Sequence, residues 1–176
     1  MGGHEDIGDK VIIALRRVIR AVDLHSRTLV QSHGLTGPQA LILKALRQGS
    51  LPAGELATRV SLSQGTVTDI LIRLEQRGLL KRIRDTTDKR RVLVEATAAG
   101  MTLLRQSPPL LQERFVERFT NLHEWEQTQL LASLQRIAAM MDAEDIDAAP
   151  VLSSGSMRAT ARAVEEVLGP EDLGGE

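Results

Sequence analysis

The chain has 176 residues, a net charge of −1, 42% hydrophobic residues and only 2% aromatic residues, which indicates one soluble globular protein with a core of Leu, Ile, Val and Ala. The absence of cysteine excludes disulfides, thiolate zinc sites and cysteine redox switches. No apolar run reaches the roughly 18 residues of a membrane span, and no charged start followed by an apolar stretch resembles a signal peptide. We therefore expect a cytoplasmic protein without a membrane partner.

Charged residues are unevenly distributed along the chain. Residues 59–91 contain nine Lys or Arg against four Asp or Glu, and residues 142–176 contain nine Asp or Glu against two Arg. The basic segment is either an anion-binding surface or a solvated face without a partner. The anion-binding interpretation is favoured only if a binding motif lies in the same segment.

The first predicted elements are two helices. Apolar residues recur at helical spacing over residues 10–31, after a polar, Gly-rich start of eight residues that we expect to be frayed. Thr36 and Gln39 fit a capping box, which predicts that a second helix begins there. That helix is expected to stop before Leu51-Pro52, which is interpreted as a connector.

A short helix, a break and a longer helix follow. Residues 53–60 have the pattern of the short helix, and Ser63 is a good N-cap for the longer one, which Gly78 stops. The longer helix has one apolar face at positions i, i+3, i+4 and i+7, formed by Val67, Ile70, Leu71 and Leu74.

The hydrophobic period then changes from helical to extended. Residues 79–84 and 91–96 have the pattern of two strands around a polar segment, which predicts a β-hairpin. Thr97 is the expected N-cap of a further helix, which Pro108-Pro109 must interrupt because proline removes a backbone donor and clashes with the preceding turn. Helical spacing resumes over residues 121–141.

The order of short helix, turn, capped helix and basic hairpin is typical of a winged helix-turn-helix, which favours the anion-binding interpretation of the basic segment. A recognition helix needs an apolar face toward its scaffold and a polar face toward base edges and phosphates. A wing needs cations that reach a minor groove or the DNA backbone. The candidate DNA-binding residues are Ser63, Gln64, Gly65, Thr66, Thr68, Asp69 and Arg73 in the helix, and Arg84, Lys89, Arg90 and Arg91 in the hairpin.

The same region resembles the multiple antibiotic resistance regulator (MarR) family. The resemblance extends over about residues 10–142 and rests on Leu35-Thr36-x-x-Gln39, Glu55-Leu56-Ala57, Ser63-x-x-Thr66-Val67-Thr68, Leu74-Glu75-x-Arg77-Gly78-Leu79 and Asp88-x-Arg90. It implies a homodimer whose N- and C-terminal helices intertwine, with two lobes that bind successive major grooves of palindromic double-stranded DNA. It also implies that Arg90 enters the minor groove and that Asp88 orients it.

The resemblance divides the chain into an N-terminal dimerisation helix (1–34), a winged helix-turn-helix domain (35–97), C-terminal dimerisation helices (98–142) and an acidic extension (143–176). Around the start of the extension, Met140–Asp147 and Pro150–Leu152 are similar to regulators of osmoprotectant genes. The extension responds to ionic strength, wraps the partner subunit or is simply disordered.

Asp69 departs from the family pattern, in which a basic residue often follows the Thr-Val-Thr segment. An acidic side chain at this position is repelled by phosphate, but it can accept a hydrogen bond from cytosine N4. Asp69 therefore either participates in base readout or is a flank residue that is solvated or paired with Arg73.

The resemblance further implies a small anionic or phenolic effector, bound between the dimerisation helices and the DNA-binding lobe. The candidate contacts are His25, Arg27, His33 and Arg114, each of which is alternatively a surface or interface residue. The spacing of the histidines does not predict a metal site, and no cofactor is expected.

Three classes of function compete for this sequence. An enzyme is not expected, because the chain has no Gly-rich phosphate loop, no nucleophile paired with a base and no metal-ligand cluster. We predict a sequence-specific transcriptional regulator that binds a palindromic operator as a homodimer, represses from it, and responds to a small ligand or to ionic or osmotic conditions. The alternative is a constitutive architectural DNA-binding protein, although its positive charge would be expected to spread over a broader surface.

Overall fold

The structure is a computed structural model, which describes residues 6–88, 90–146, 148 and 151–154. The helices in chain order are α1 (Ile7–His33), α2 (Gly37–Ala45), α3 (Ala53–Val60), α4 (Gln64–Gln76), α5 (Ala98–Gln106), α6 (Leu111–Phe119) and α7 (Glu124–Met140). The strands are β1 (Leu51–Pro52), β2 (Leu80–Arg84) and β3 (Val92–Ala96), and a 3₁₀ turn (Leu46–Gln48) follows α2. The prediction of a mainly helical fold with a β-hairpin wing is confirmed.

Helix α1 begins earlier than the sequence pattern indicates. The side chain of Asp6 accepts a hydrogen bond from the backbone N–H of Gly8 at 3.2 Å and caps the helix. The expectation that all of the first eight residues are frayed is therefore wrong for Ile7 and Gly8, which belong to α1. The helix ends at Gly34, whose φ of 57° is left-handed and favours glycine because a Cβ atom is disfavoured there.

The local capping signals are confirmed. Thr36 and Gln39 form a reciprocal capping box, with Thr36 N donating to Gln39 Oε1 at 3.0 Å and Gln39 N donating to Thr36 Oγ1 at 3.3 Å. Ser63 caps α4, and Thr97 caps α5. Helices α2, α4 and α5 thus begin where their sequence-encoded caps predict.

The small sheet has three antiparallel strands in the order β1-β3-β2. Strands β2 and β3 form the predicted hairpin, with Leu80 opposite Ala96 and Arg84 opposite Val92. The interpretation of Leu51-Pro52 as a connector is wrong, because this pair is a strand in which Leu51 lies opposite Val94. Pro52 is tolerated because β1 is an edge strand, where the missing N–H breaks no ladder on its outer side.

The core around α2, α3, α4 and the sheet is aliphatic. Burying one such side chain contributes roughly 1.5–3 kcal/mol to the free energy of unfolding. The cluster therefore holds α3 firmly against α4. Its largest fully buried members are Leu29, Leu35, Ile42, Leu43, Leu56, Val67, Leu71, Leu74, Leu80 and Val94.

The described chain divides into two units, one that runs to Pro108 and includes the segment from Leu152, and one that comprises Pro109–Val151. The predicted interruption at Pro108-Pro109 is confirmed, since α5 ends before the prolines and α6 begins after them. In the second unit the rings of Phe115 and Phe119 stack on one face of α6, with centroids 5.4 Å apart. Within the described ranges, no helix combines the length and the apolarity needed to cross a membrane.

Replacing Gly100 with alanine should destabilise the fold. A Cβ atom at this position of α5 would collide with the carbonyl oxygen of Leu79 and would lie 3.3 Å from Leu43 Cδ2. Overpacking of this kind lowers the free energy of unfolding by about 1–3 kcal/mol, which urea denaturation would measure. Gly65→Ala is the matched control, because a Cβ atom there meets nothing within 4 Å. Equal stability of the two variants would contradict the close approach of α5 to Leu79.

Candidate nucleic-acid interface

Helix α4 separates an apolar face from a polar one, as a recognition helix requires. Val67, Ile70, Leu71 and Leu74 are buried, as the sequence predicts. The opposite side carries the candidate DNA contacts: Gln64, Gly65, Thr68 and Asp69 are exposed, and Thr66 and Arg73 are half-buried.

The N-terminus of α4 is capped but sterically open. Ser63 Oγ accepts a hydrogen bond from Thr66 N at 3.1 Å, and the two hydroxyl groups lie 2.8 Å apart. The first N–H groups of a helix have no intrahelical partner and carry the positive end of the helix dipole, which attracts anions. Because nothing lies within 4 Å of the Cβ position of Gly65, a phosphate group can approach this end closely.

Thr68 is one turn further along the exposed face of α4. Its hydroxyl donates to the carbonyl oxygen of Gln64 at 2.8 Å, within the helix itself. The Thr68 hydroxyl oxygen can still accept a hydrogen bond from a base, and its methyl group stays exposed. Both groups can contact base edges in a major groove.

The hairpin loop is held by aspartate side chains. Asp85 N donates to Arg91 O at 3.0 Å, and Asp85 Oδ1 accepts from the backbone N–H of Thr87 at 2.9 Å and from its hydroxyl at 2.7 Å. These hydrogen bonds from Thr87, above all that from its backbone N–H, hold the pKa of the Asp85 carboxyl below its usual range. Asp85 therefore stays ionised at neutral pH and fixes the turn.

Asp88 supports the wing arginine through the main chain. Its Oδ1 accepts a hydrogen bond from the backbone N–H of Arg90 at 3.0 Å, and its carbonyl accepts from Arg91 N at 2.9 Å. Arg84, Arg90 and Arg91 are exposed, whereas Lys89 lies outside the described residues. The backbone position of Arg90 is thus fixed, and the orienting role of Asp88 toward its guanidinium group stays a prediction.

Two ion pairs join the base of the wing to its surroundings. Arg82 Nε lies 3.4 Å from Glu75 Oε2 and links β2 to α4, and Lys81 Nζ lies 3.5 Å from its cross-strand neighbour Glu95 Oε2. All four side chains are substantially exposed, so each pair is worth at most about 1 kcal/mol. The Lys81–Glu95 pair favours the register of the hairpin, and the Arg82–Glu75 pair favours the placement of β2 beside α4.

Comparison with known proteins identifies the family to which this architecture belongs. A sequence model of the MarR family matches residues 35–92, and the transcriptional regulator YkoM of Bacillus subtilis, itself uncharacterised, is 30% identical over 68% of this chain and 79% of its own length. The chain belongs to the MarR family. A second relative, the homoprotocatechuate degradative operon repressor of Escherichia coli, is 29% identical over 61% of this chain and 73% of the relative.

A solved structure of a transcriptional regulator supports the fold and leaves part of the chain unmatched. The transcriptional regulator BldR from Sulfolobus solfataricus superposes with a TM-score of 0.50 and 26% identity. The match covers 99% of that protein but only 79% of this one. As a MarR-family protein the chain is a transcriptional regulator rather than an enzyme, as the sequence predicts.

Sequence reasoning assigned no role to Arg77, although it lies within the MarR-like motif. Its Nη1 donates to the carbonyl oxygen of Gly34 at 2.6 Å, which links the end of α4 to the C-terminus of α1. Burial lowers the pKa of the Arg77 guanidinium, and the negative end of the α1 dipole favours a cation there. Because the partner is a backbone atom 43 residues away, residue types alone give no signal for this contact.

Thr97 makes a second contact with the same end of α4. Beyond capping α5, its hydroxyl donates to the carbonyl oxygen of Gly78 at 2.7 Å, and its backbone N–H donates to Leu79 O at 3.1 Å. We call Gly34, Arg77, Gly78 and Thr97 the α4 anchor, since they tie the end of α4 to α1 and α5.

The candidate effector contacts fall in both units. His25, Arg27 and His33 lie on α1, whereas Arg114 lies exposed on α6 in the second unit. Both histidines are half-buried, and Arg27 is exposed and paired with Asp23 at 3.0 Å. The structure therefore brings three of the four onto one helix, and their contact with an effector stays a prediction. Over the part of the chain that is described, no group of three or more His, Asp or Glu is arranged to hold a metal ion.

Replacing Arg77 with methionine should loosen the α4 anchor. Methionine retains an unbranched apolar side chain but leaves the Gly34 carbonyl without its charged donor, so the free energy of unfolding should fall by about 1–3 kcal/mol. Chemical denaturation of both proteins would measure the change. Arg105→Met is the control, because the exposed Arg105 donates, among the described residues, to Thr102 on its own helix. The anchor would be refuted if both variants lost the same stability.

Proposed function

We propose that this protein is a homodimeric repressor that binds a palindromic operator, with α4 in the major groove and the wing at the adjacent minor groove. The observation that carries the proposal is the pairing of an exposed polar α4 face with a hairpin that exposes Arg84, Arg90 and Arg91. The Escherichia coli relative, which is named as an operon repressor, supports repression as the direction of control.

Exposed apolar side chains support the homodimer. On α1, Ile7 and Val18 are more than 60% exposed, and on α7 Trp125, Leu131 and Leu134 are more than half exposed. Soluble monomers rarely leave so many large apolar side chains on successive turns of a helix in water. A two-fold dimer buries the same patch on both subunits, and the family resemblance assigns this role to the N- and C-terminal helices.

His33 supports an effector site near the end of α1. Its Nδ1 atom is buried and has no hydrogen-bond partner among the described residues. A buried polar atom without a partner is unfavourable, so a ligand hydroxyl or carboxylate that contacted it would be stabilised. We assign His25, Arg27 and Arg114 to the same effector hypothesis on the family resemblance alone, as we do the response to ionic conditions.

Binding titrations test the proposed function directly. A palindromic duplex, selected by this protein from a random pool, should bind about 10³-fold or more tightly than a scrambled duplex at the same salt concentration. One dimer should bind per palindrome. Equal affinity for the two duplexes would favour the architectural alternative and overturn sequence-specific binding.

Arg90→Ala should weaken binding to the selected palindrome. Removal of one phosphate or minor-groove cation lowers affinity and reduces the slope of log affinity against log salt by about 1. Arg105→Ala is the control, since it removes the same charge from α5, outside the candidate interface. If Arg90→Ala left both affinity and slope at their original values, the wing would not contact DNA.

Asp69→Ala separates the two interpretations of this exposed acidic residue. A side chain that accepts from cytosine N4 should, when removed, relax discrimination at one base pair by about 1–3 kcal/mol. Affinities for a set of single-base operator variants would measure this. A uniform change across all variants would contradict readout and leave Asp69 as a flank residue.

A further inference from the structure

Helix α1 carries a cationic face that the proposed function does not use. Arg16, Arg17 and Arg20 line an open groove of about 590 Å³ together with Ile13, Ile19, Asp23 and Ser154. We call this feature the arginine groove. Of the described residues that line it, Asp23 is the acidic one, and it is already paired with Arg27 at 3.0 Å. The groove therefore presents three cations to whatever occupies it.

The C-terminal segment of the same chain reaches the end of this groove. Ser154 N donates to Ser26 Oγ at 3.0 Å, and Ser154 Oγ donates to Asp23 Oδ1 at 3.1 Å. Ser26 is only 6% exposed, and its own hydroxyl donates to Val22 O at 2.8 Å. Two hydrogen bonds, one of them to a buried side chain, thus hold residue 154 against α1.

The chain beyond Ser154 has the complementary charge and sufficient length. Residues 155–176 contain five acidic residues, all from Glu165 onward, against two arginines, for a net charge of −3. Glu165 lies eleven positions after Ser154, and an extended chain spans up to about 3.3 Å per position, or about 36 Å. Arg16 to Asp23 spans about 10 Å of helix at 1.5 Å per residue, so the acidic residues can reach every arginine of the groove.

We propose that the arginine groove is the docking site of residues 155–176 of the same chain, with the acidic part from Glu165 onward against Arg16, Arg17 and Arg20. The contacts are ion pairs at an open surface, each worth about 0–1 kcal/mol, so docking is weak and salt-sensitive. The BldR match, which covers 99% of that protein but only 79% of this chain, shows no counterpart in BldR for about a fifth of the sequence. The proposal stands independently of DNA binding.

A spin label placed in the extension of the full chain tests the docking. Since the chain has no cysteine, Leu173→Cys provides a unique site for attachment. The expected result is loss of amide signal intensity for residues around Arg16–Asp23, which recovers as salt rises from about 0.1 M to about 1 M and the Debye length falls from about 10 Å to about 3 Å.

Charge variants and mixed samples make the test decisive. Replacing four of the five acidic residues of the extension (E165Q, E166Q, E171Q and D172N) or the three arginines of the groove (R16Q, R17Q and R20Q) should abolish the loss of intensity. Neutralising three arginines on other helices (R105Q, R118Q and R136Q) should leave it unchanged. Loss of intensity elsewhere on the chain, or none at low salt, overturns the proposal.

The same loss on isotope-labelled, spin-free chains mixed with spin-labelled ones would show docking onto a second copy, which also overturns it.

Discussion

The C-terminal end of α4 is held from two sides, and the position of the candidate DNA-binding surface depends on that constraint. The Arg77 guanidinium reaches the Gly34 carbonyl, and the Thr97 hydroxyl reaches the Gly78 carbonyl. Both acceptors are carbonyls at glycine positions with φ near +60°, where the chain turns away from a helix end. Because α1 and α5 meet α4 here, a displacement of either helix would be transmitted to the end of the recognition helix.

The α4 anchor also explains why small residues lie around it. Helix α5 approaches the Leu79 carbonyl so closely that position 100 has no room for a Cβ atom. The aliphatic core, with Leu43 and Leu74 fully buried, supplies most of the stabilisation, since each buried leucine contributes more than a typical hydrogen bond. The polar contacts of the anchor instead specify where α4 ends relative to α1 and α5.

Local chemistry predicts much of this fold, and contacts between distant segments account for the rest. The caps at Thr36, Ser63 and Thr97 act within three residues, so the sequence identifies them directly. The pairing of Leu51 with Val94 and the contact of Arg77 with Gly34 join residues more than 40 positions apart, which no local period encodes. At the candidate nucleic-acid interface, helical periodicity predicts which α4 residues face outward. It does not predict which of these residues would contact bases or phosphates.

The α4 anchor gives the proposed effector response a physical route. His33 immediately precedes Gly34, whose carbonyl accepts the hydrogen bond of Arg77. A ligand that satisfied the buried His33 Nδ1 would act one residue from the contact that fixes the end of α4. A ligand shifts a conformational equilibrium only by its difference in affinity for the two states. A small backbone change at the end of α1 would therefore suffice for release from DNA if it altered the Arg77–Gly34 distance. Helix α4 would then favour a position that does not match the spacing of the operator grooves.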